Sequence, residues 1–275
     1  MSVLSSYGTS QTGMVRSENQ DAIRSYEPED DQTLQSHGQL FAVADGLGGY
    51  EHGGIASTLA LETFFSNFYS GTPRKSPQNM RQGFQAANLA VAQTAQRMQA
   101  RMGTTLSAIN IIGDQLHIAH IGDSRVYLIR KGKAECLTQD HTAVGELVRM
   151  RILSPDKVRT HERRSVLEKC LGMELFVQPD ISRHTLQNDD FLILCTDGVW
   201  AYVEDDEFAE ITLAQRTPEH ISQTLIENAL ARESDDNVSV LVIHAQQLVS
   251  LEAAHENNRF SFTQFILGRL TGKTS

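Results

Sequence analysis

The stretch FAVADGLGGYEHGG, residues 41–54, runs from an apolar, strand-like segment directly into Asp45 and then into a series of glycines. Three interpretations suit such a stretch: a loop that cradles phosphate, a tight turn, or a site where Asp45 acts together with distant aspartates. The first fails on spacing, because Glu51 stands at the third position of a Gly-x-Gly-x-x-Gly pattern and no Lys-Ser or Lys-Thr pair follows. The choice therefore lies between a turn and a cluster of carboxylates.

Aspartates stand at the ends of apolar segments elsewhere in the chain. Asp-Gly between apolar runs is a strong hairpin signal, and each of these positions taken alone favours a turn. After Asp45 and after Asp197, however, the chain continues toward a helix and not toward a returning strand. The segments concerned are VRSENQDAI with Asp21, FAVADG with Asp45, LHIAHIGDSRVYLI with Asp123, LILCTDG with Asp197, and ESDDNVSVLVI with Asp235 and Asp236.

A cluster of carboxylates at one edge of a fold has a definite chemical meaning. Several carboxylates close together repel one another in a low-dielectric site, and divalent cations remove that conflict. Ligands that are all oxygen favour Mg²⁺ or Mn²⁺ over zinc, which prefers histidine and cysteine. We therefore interpret Asp45 as a ligand that bridges metal ions. Glycine at position 46 leaves no Cβ in the way of a carbonyl that approaches a metal.

Composition limits the classes of protein that the chain can represent. The 275 residues are 40% apolar and 21% charged, which is ordinary globular composition, and the formal net charge of −10 disfavours nucleic acid as a partner. The three cysteines form no CxxC pair, and none has an arginine six residues later, as a cysteine-dependent phosphatase would need. With no signal peptide and no apolar run long enough for a transmembrane segment, we expect a soluble, cytoplasmic protein.

The order of predicted elements indicates an α+β fold. Residues 38–44 and 191–195 are predicted strands, residues 54–69 and a segment ending near residue 102 are predicted helices, and residues 103–137 have the punctuation of an antiparallel meander. Two helices, near 205–214 and 218–232, precede a last strand at 237–245. Because many strands follow one another without intervening helices, we predict antiparallel sheets covered by helices.

Taken together, these blocks resemble the type 2C family of metal-dependent protein phosphatases, specifically its compact bacterial Ser/Thr members. The resemblance covers roughly residues 7–245, with the blocks in the family's order and spacing, which is far more specific than any single motif. It implies a four-layer α-β-β-α sandwich of two antiparallel sheets flanked by helices. The blocks are GMVRSENQDA, VADGLGG, GTTLSA, IAHIGDSRVYLI, the QDHT segment with THERRSVLEKCLG, LCTDGVW and DDNVSVLVI.

The resemblance also implies roles for individual residues. Asp45 would bridge two metal ions, and the carbonyl of Gly46 would bind one of them. Asp197 and Asp236 would hold the second ion, and Asp123 would help to hold a third, weaker one.

Two further positions complete the implied catalytic site. Asp21 matches the family's first acidic position and would act through metal-bound water. Arg16 would grip the substrate phosphate, so that Arg16 and Asp45 are the catalytic residues. Leu47 stands where eukaryotic members have a histidine proposed as general acid, which leaves the source of the leaving-group proton open.

The implied function is hydrolysis of phosphoserine and phosphothreonine in proteins by a water molecule that Mn²⁺ or Mg²⁺ ions activate. Two alternatives stay open: a non-catalytic scaffold that binds phosphoproteins, and a hydrolase of small phosphomonoesters. The expected partners are phosphorylated proteins that are targets of a bacterial Ser/Thr kinase, and we expect a monomer.

The implied catalytic domain spans residues 1–245, with a flap near 140–176 beside the site. The flap is rich in arginine, and these side chains either contact phosphoproteins or only solvate the surface. Residues 246–275 form a C-terminal tail. Within it, the apolar stretch at 259–270 is interpreted either as a short helix that docks on a partner or a membrane surface, or as a stretch that packs on its own domain or is frayed.

Overall fold

The computed structural model describes residues 2–47 and 52–250. Its strands form two five-stranded antiparallel sheets, in the orders β1-β10-β9-β6-β7 and β2-β3-β4-β5-β8. The strands are β1 Val3–Gln11, β2 Asp21–Tyr26, β3 Gln39–Asp45, β4 Leu106–Ile112, β5 Gln115–Ile121, β6 Arg125–Arg130, β7 Lys133–Cys136, β8 Asp180–Thr185, β9 Asp190–Cys195 and β10 Val238–Gln247. The helices are α1 Asp31–His37, α2 Gly53–Tyr69, α3 Ser76–Met98, α4 Ala143–Arg149, α5 Asp197–Trp200, α6 Asp205–Gln215 and α7 Pro218–Ala231.

The predicted four-layer sandwich is confirmed, and the alternation of side chains along β3 shows how it is built. Leu40, Ala42 and Ala44 point toward α2 and α3, whereas Phe41 and Val43 point toward the other sheet. Successive side chains in a strand face opposite sides, so a strand covered on both faces is apolar throughout. A third apolar cluster packs the outer face of the first sheet against α5, α6 and α7.

Helix α2 follows β3 because its apolar residues recur at helical spacing. Leu61, Phe64, Phe65 and Phe68 are buried on one face of α2, at intervals of three and four residues. The ring of Phe64 meets that of Phe84 of α3 edge-on, with 5.2 Å between centroids. The two helices therefore form one layer, and their packing fixes where the chain leaves β3.

Helix α3 differs from its prediction at both ends. It begins at Ser76, inside the polar stretch GTPRKSPQN at 71–79, whose composition predicts a connection. A proline in the first turn suits a helix start there. It ends at Met98 and not near residue 102, since Gln99 adopts a left-handed conformation with a φ of 53°. Strands β1, β2 and β8 and helix α1 were not predicted as elements from the sequence.

The interpretation of residues 103–137 as a single meander is wrong. Strands β4 and β5 form a hairpin in one sheet, while β6 and β7 form a hairpin in the other. The chain crosses between the sheets at Gly122, whose φ is 114°. A Cβ on Gly122 would lie 2.5 Å from Cβ of Thr105, so the crossing requires glycine.

The two sheets bring the acidic segments to one edge of the sandwich. Asp21 opens β2, Asp45 closes β3, and the two are register partners. In the other sheet, Arg125 of β6 and Val240 of β10 both pair with Cys195, the last residue of β9. The neighbouring ends of these three strands therefore lie side by side, and Asp123, Asp197 and Asp236 lie just beyond them. Antiparallel pairing thus gathers residues that are far apart in sequence.

Residues 2–47 and 52–250 contain no helix with the length and apolar character that a membrane span requires. Strand β10 continues to Gln247, two residues past the expected domain boundary. The stretch at 259–270, interpreted from sequence as a short helix, lies outside the described residues.

We expect the substitution Gly122→Ala to lower the free energy of unfolding by about 1–3 kcal/mol, because it adds a Cβ to a crowded left-handed position. Urea denaturation followed by circular dichroism measures this change. Gly54→Ala is the matched control, since its Cβ would meet nothing closer than 3.4 Å. Equal stability of the two variants would contradict the role given to Gly122.

Candidate metal centre and active site

Asp45 sits at the centre of the acidic edge and is fixed through its main chain. Its amide donates to Oγ1 of Thr105 at 2.9 Å, and its carbonyl accepts from the Thr105 amide at 2.8 Å and from the Thr104 hydroxyl at 2.9 Å. Burial raises the pKa of the Asp45 carboxyl well above its usual range, and the charges of Asp21 and Asp197 add to this rise. The backbone thus holds a carboxyl in surroundings that oppose its ionisation.

Asp21 is buried beside Asp45, and two hydroxyls orient its carboxylate. Thr196 and Ser239 donate to Oδ2 of Asp21, at 2.8 and 2.6 Å. Burial raises the pKa of Asp21 to about 7, and these hydrogen bonds oppose the rise because they stabilise the charged form. Thr196 directly precedes Asp197, and Ser239 lies three residues after Asp236. Residues close in sequence to two predicted ligands thus position a third.

Asp197 is the first residue of α5, and one oxygen of its carboxylate lacks a bonding partner within residues 2–47 and 52–250. Its Oδ1 atom is buried and accepts no hydrogen bond from any residue that the structure describes. Burial raises the pKa of Asp197 to about 6, and the charge of Asp236 adds to the rise. Buried polar atoms are normally paired, so this oxygen requires an explanation.

Asp123 lies at the crossing between the sheets and is also buried. Its carbonyl accepts a hydrogen bond from the indole of Trp200 at 2.8 Å. Burial raises the pKa of its carboxyl well above the usual range, with further contributions from the charges of Asp197 and Asp140. The turn predicted at Asp123 is therefore a point where the chain changes sheets at the edge of the site.

Asp236, one of the predicted metal ligands, forms an ion pair with an arginine. Its Oδ2 atom lies 2.7 Å from the guanidinium of Arg16, and Nε of Arg16 donates to the carbonyl of Asp235 at 3.2 Å. The side chain of Arg16 remains 40% exposed. The structure thus places Arg16 at the acidic edge, where a phosphate held beside the carboxylates would be within its reach.

The two glycines that follow Asp45 and Asp197 allow close packing. A Cβ on Gly46 would lie 2.3 Å from the carbonyl oxygen of Gly53, and a Cβ on Gly198 would lie 2.0 Å from that of Asn237. Glycine at position 46 is thus required by the approach of α2 to β3, a reason that the sequence did not reveal. Its carbonyl as a metal ligand stays a prediction.

The donors at this edge suit a hard divalent cation. The side chains concerned offer only carboxylate oxygens, which is the chemistry that Mg²⁺ and Mn²⁺ prefer. Within the described ranges 2–47 and 52–250, no three acidic, histidine or cysteine side chains are already arranged as a group that could hold a metal ion. Two observations support the fit of these residues to a divalent cation. Oδ1 of Asp197 is unpaired in the part of the chain that the structure describes, and burial raises the pKa of four carboxyls together, those of Asp21, Asp45, Asp123 and Asp197.

Part of the flap is anchored to the domain by Arg159, whose side chain is 9% exposed. Nε of Arg159 donates to the Trp200 carbonyl at 2.9 Å, and its Nη2 atom lies 2.6 Å from the carboxylate of Asp205. The sequence predicts that the flap arginines contact phosphoproteins or solvate the surface, and in the structure Arg159 binds other residues of the domain. Arg149 is paired with Glu146 on its own helix at 3.1 Å.

The comparison with known families decides the identity of this arrangement. The family model described as Protein phosphatase 2C matches residues 5–158 and 173–238. The chain belongs to the protein phosphatase 2C family. The resemblance inferred from the acidic blocks is thereby confirmed.

Individual relatives agree with this assignment. The serine/threonine phosphatase stp of Listeria monocytogenes is 31% identical over 237 residues, which cover 84% of this chain and 92% of that protein. The crystal structure of the Mycobacterium tuberculosis serine/threonine phosphatase PstP has a TM-score of 0.77 at 31% identity, and the match covers 89% of this chain and 99% of that one. The chain is thus a protein serine/threonine phosphatase of this family.

A second structure of a PstP phosphatase is informative about cofactors in the family. The catalytic domain of PstP, solved in complex with 2 manganese ions, has a TM-score of 0.76 at 30% identity. The match covers 91% of this chain and 100% of that domain.

In the present phosphatase, Asp197→Asn should stabilise the protein in the presence of a chelator. The pKa of the Asp197 carboxyl is about 6 in the folded state and about 4 in the unfolded state. This difference stabilises the fold fully below about pH 4, and the contribution is lost as the pH rises through about 6. Asparagine is uncharged at neutral pH, so the variant avoids the cost of an ionised carboxylate at this position. We expect a gain in the free energy of unfolding of about 1–3 kcal/mol at about pH 7.5, shrinking toward about pH 5.

Asp205→Asn is the matched control for this measurement by urea denaturation. Burial acts to raise the pKa of Asp205, but hydrogen bonds and the charge of Arg159 outweigh it and lower the pKa. Its replacement should therefore destabilise the protein at neutral pH. If Asp197→Asn also destabilised the chelated protein, the carboxylates would not repel one another as described.

Proposed function

We propose that the chain hydrolyses phosphoserine and phosphothreonine in proteins and depends on Mn²⁺ or Mg²⁺ for this activity. The observation that carries the proposal is the unpaired, buried Oδ1 atom of Asp197 among carboxyls whose pKa values are raised together. Family membership and the two manganese ions of the PstP catalytic domain support it.

The residues that would hold two core ions are Asp45, the Gly46 carbonyl, Asp197 and Asp236, with Asp123 available for a third, weaker ion. Bound ions would supply positive charge to an acidic chain and lower the pKa of a water that attacks phosphorus. Attack by water needs no phosphorylated enzyme side chain. The buried Cys195 supports this, because burial raises the pKa of its thiol and so disfavours the nucleophilic thiolate.

The chain's own residues bind and orient the reactants. Arg16, held by Asp235 and Asp236, offers a planar guanidinium that can donate two hydrogen bonds to a phosphate. The carboxylate of Asp21 accepts from Thr196 and Ser239 with one oxygen, which fixes the direction of the other. Such a carboxylate can accept a hydrogen bond from water within the site and keep that water in place.

Turnover of a phosphothreonine peptide, and of p-nitrophenyl phosphate, should require added Mn²⁺ or Mg²⁺. Asp197→Asn should reduce turnover to the level of the chelated wild type without unfolding the domain, because it removes a ligand for the activating ion. Phosphate release measured with a metal titration tests both points. Full activity in excess chelator would refute metal dependence, and phosphopeptide binding without turnover would favour a scaffold.

Arg16→Lys should raise KM for the phosphopeptide about tenfold or more, because one charge-assisted hydrogen bond to the phosphate is lost. Initial rates at saturating Mn²⁺ separate KM from kcat. An unchanged KM would remove Arg16 from phosphate binding. Arg24→Lys is the control, since that guanidinium lies over the ring of Phe65, 4.9 Å from its centroid, and not in the site.

A further inference from the structure

The loop that joins β1 to β2 exposes two apolar side chains beside the site. Met14 is 78% exposed and Val15 is 67% exposed, and both directly precede Arg16. Large apolar side chains scattered over a surface need no explanation, but an adjacent pair next to a substrate-binding residue is a candidate contact. The question is whether the loop presents them in a fixed position.

Contacts at both ends hold this loop in place. The buried amide of Asn237 donates to the carbonyls of Thr12 and Glu18, at 2.8 and 2.9 Å, and its Oδ1 atom accepts from the amide of Gln20 at 2.8 Å. Gly13 lies against the carbonyl of Asp236, where an added Cβ would be only 2.3 Å away. One residue that follows a predicted metal ligand therefore fixes the loop that carries Met14 and Val15.

The position of Arg16 connects this apolar pair to the substrate. Its guanidinium lies at the acidic edge, on Asp236 and the carbonyl of Asp235. Met14 and Val15 stand just before Arg16 in the loop, and neighbouring residues of a peptide are about 3.8 Å apart between Cα atoms. We therefore expect a residue next to a phosphothreonine held by Arg16 to come within reach of this pair. The contacts at both ends of the loop limit how far the backbone that carries these two side chains can move.

We propose that Met14 and Val15 form a subsite for an apolar side chain adjacent to the phosphorylated residue of the substrate protein. This inference rests on the proposed function, and it narrows the substrate class. An apolar residue would gain from covering Met14 and Val15. An acidic one would lie near the carboxylates of Glu18 and Asp235, which repel it. The anchored loop favours the contact, since a loop held at both ends loses less conformational entropy on binding than a free one.

The test compares two phosphothreonine peptides, one with leucine and one with serine on both sides of the phosphothreonine, at saturating Mn²⁺. The wild type should have the higher kcat/KM for the leucine peptide. Met14→Ser and Val15→Ser, alone and combined, should lower kcat/KM for that peptide by about fivefold to twentyfold, which corresponds to losing contact with part of one or two apolar side chains. The serine peptide should respond much less.

Leu213→Ser is the matched control, because Leu213 is 54% exposed and lies beside the turn at Gly132, at the far end of β6 from Asp123. It should keep the wild-type preference. A wild type without preference, or a double variant that retains it, overturns the proposal. If neither peptide nor p-nitrophenyl phosphate is turned over with Mn²⁺, the proposed function itself fails, and the subsite fails with it.

Discussion

Electrostatic repulsion among buried carboxylates is the constraint that organises this phosphatase. The fold places acidic groups together where burial and their mutual charge raise their pKa values. Such an arrangement is unfavourable unless other contacts oppose it. The main-chain pairing of Asp45 with Thr105, the hydroxyls on Asp21 and the guanidinium on Asp236 are the contacts that oppose it. The core keeps in place a group of charges that would separate if the strands could move.

Much of this arrangement could be predicted from the sequence because its signals are local. A strand that ends in Asp45-Gly46 and continues as a helix, repeated at Asp197-Gly198, indicates an edge where acidic residues collect. The helical spacing of Leu61, Phe64 and Phe68 indicates the layer that covers β3. These features depend on residues close together in the chain, where periodicity is informative.

The parts that were missed depend on pairing between distant residues. Thr196, Ser239 and Asn237 carry common side chains, and only the pairing of β10 with β1 on one side and with β9 on the other shows what they bind. The turn at Gly122 resembles an ordinary hairpin in sequence, because a crossing between sheets uses the same residue types. The hydrogen bonds that a residue makes in the folded chain, and not its residue type, distinguish a crossing from a hairpin and a positioning side chain from an ordinary one.

Strand β1 pairs along its length with β10, so the beginning of the described chain is joined to its end. Asp236 lies two residues before the start of β10, and the loop that carries Arg16 leads out of β1. Contacts of such large sequence separation form late, since a long segment of chain must first be ordered. During synthesis on the ribosome, the nascent chain therefore cannot complete its acidic edge until residues up to about 247 have emerged. Partial translation products of this phosphatase would be inert toward phosphoproteins.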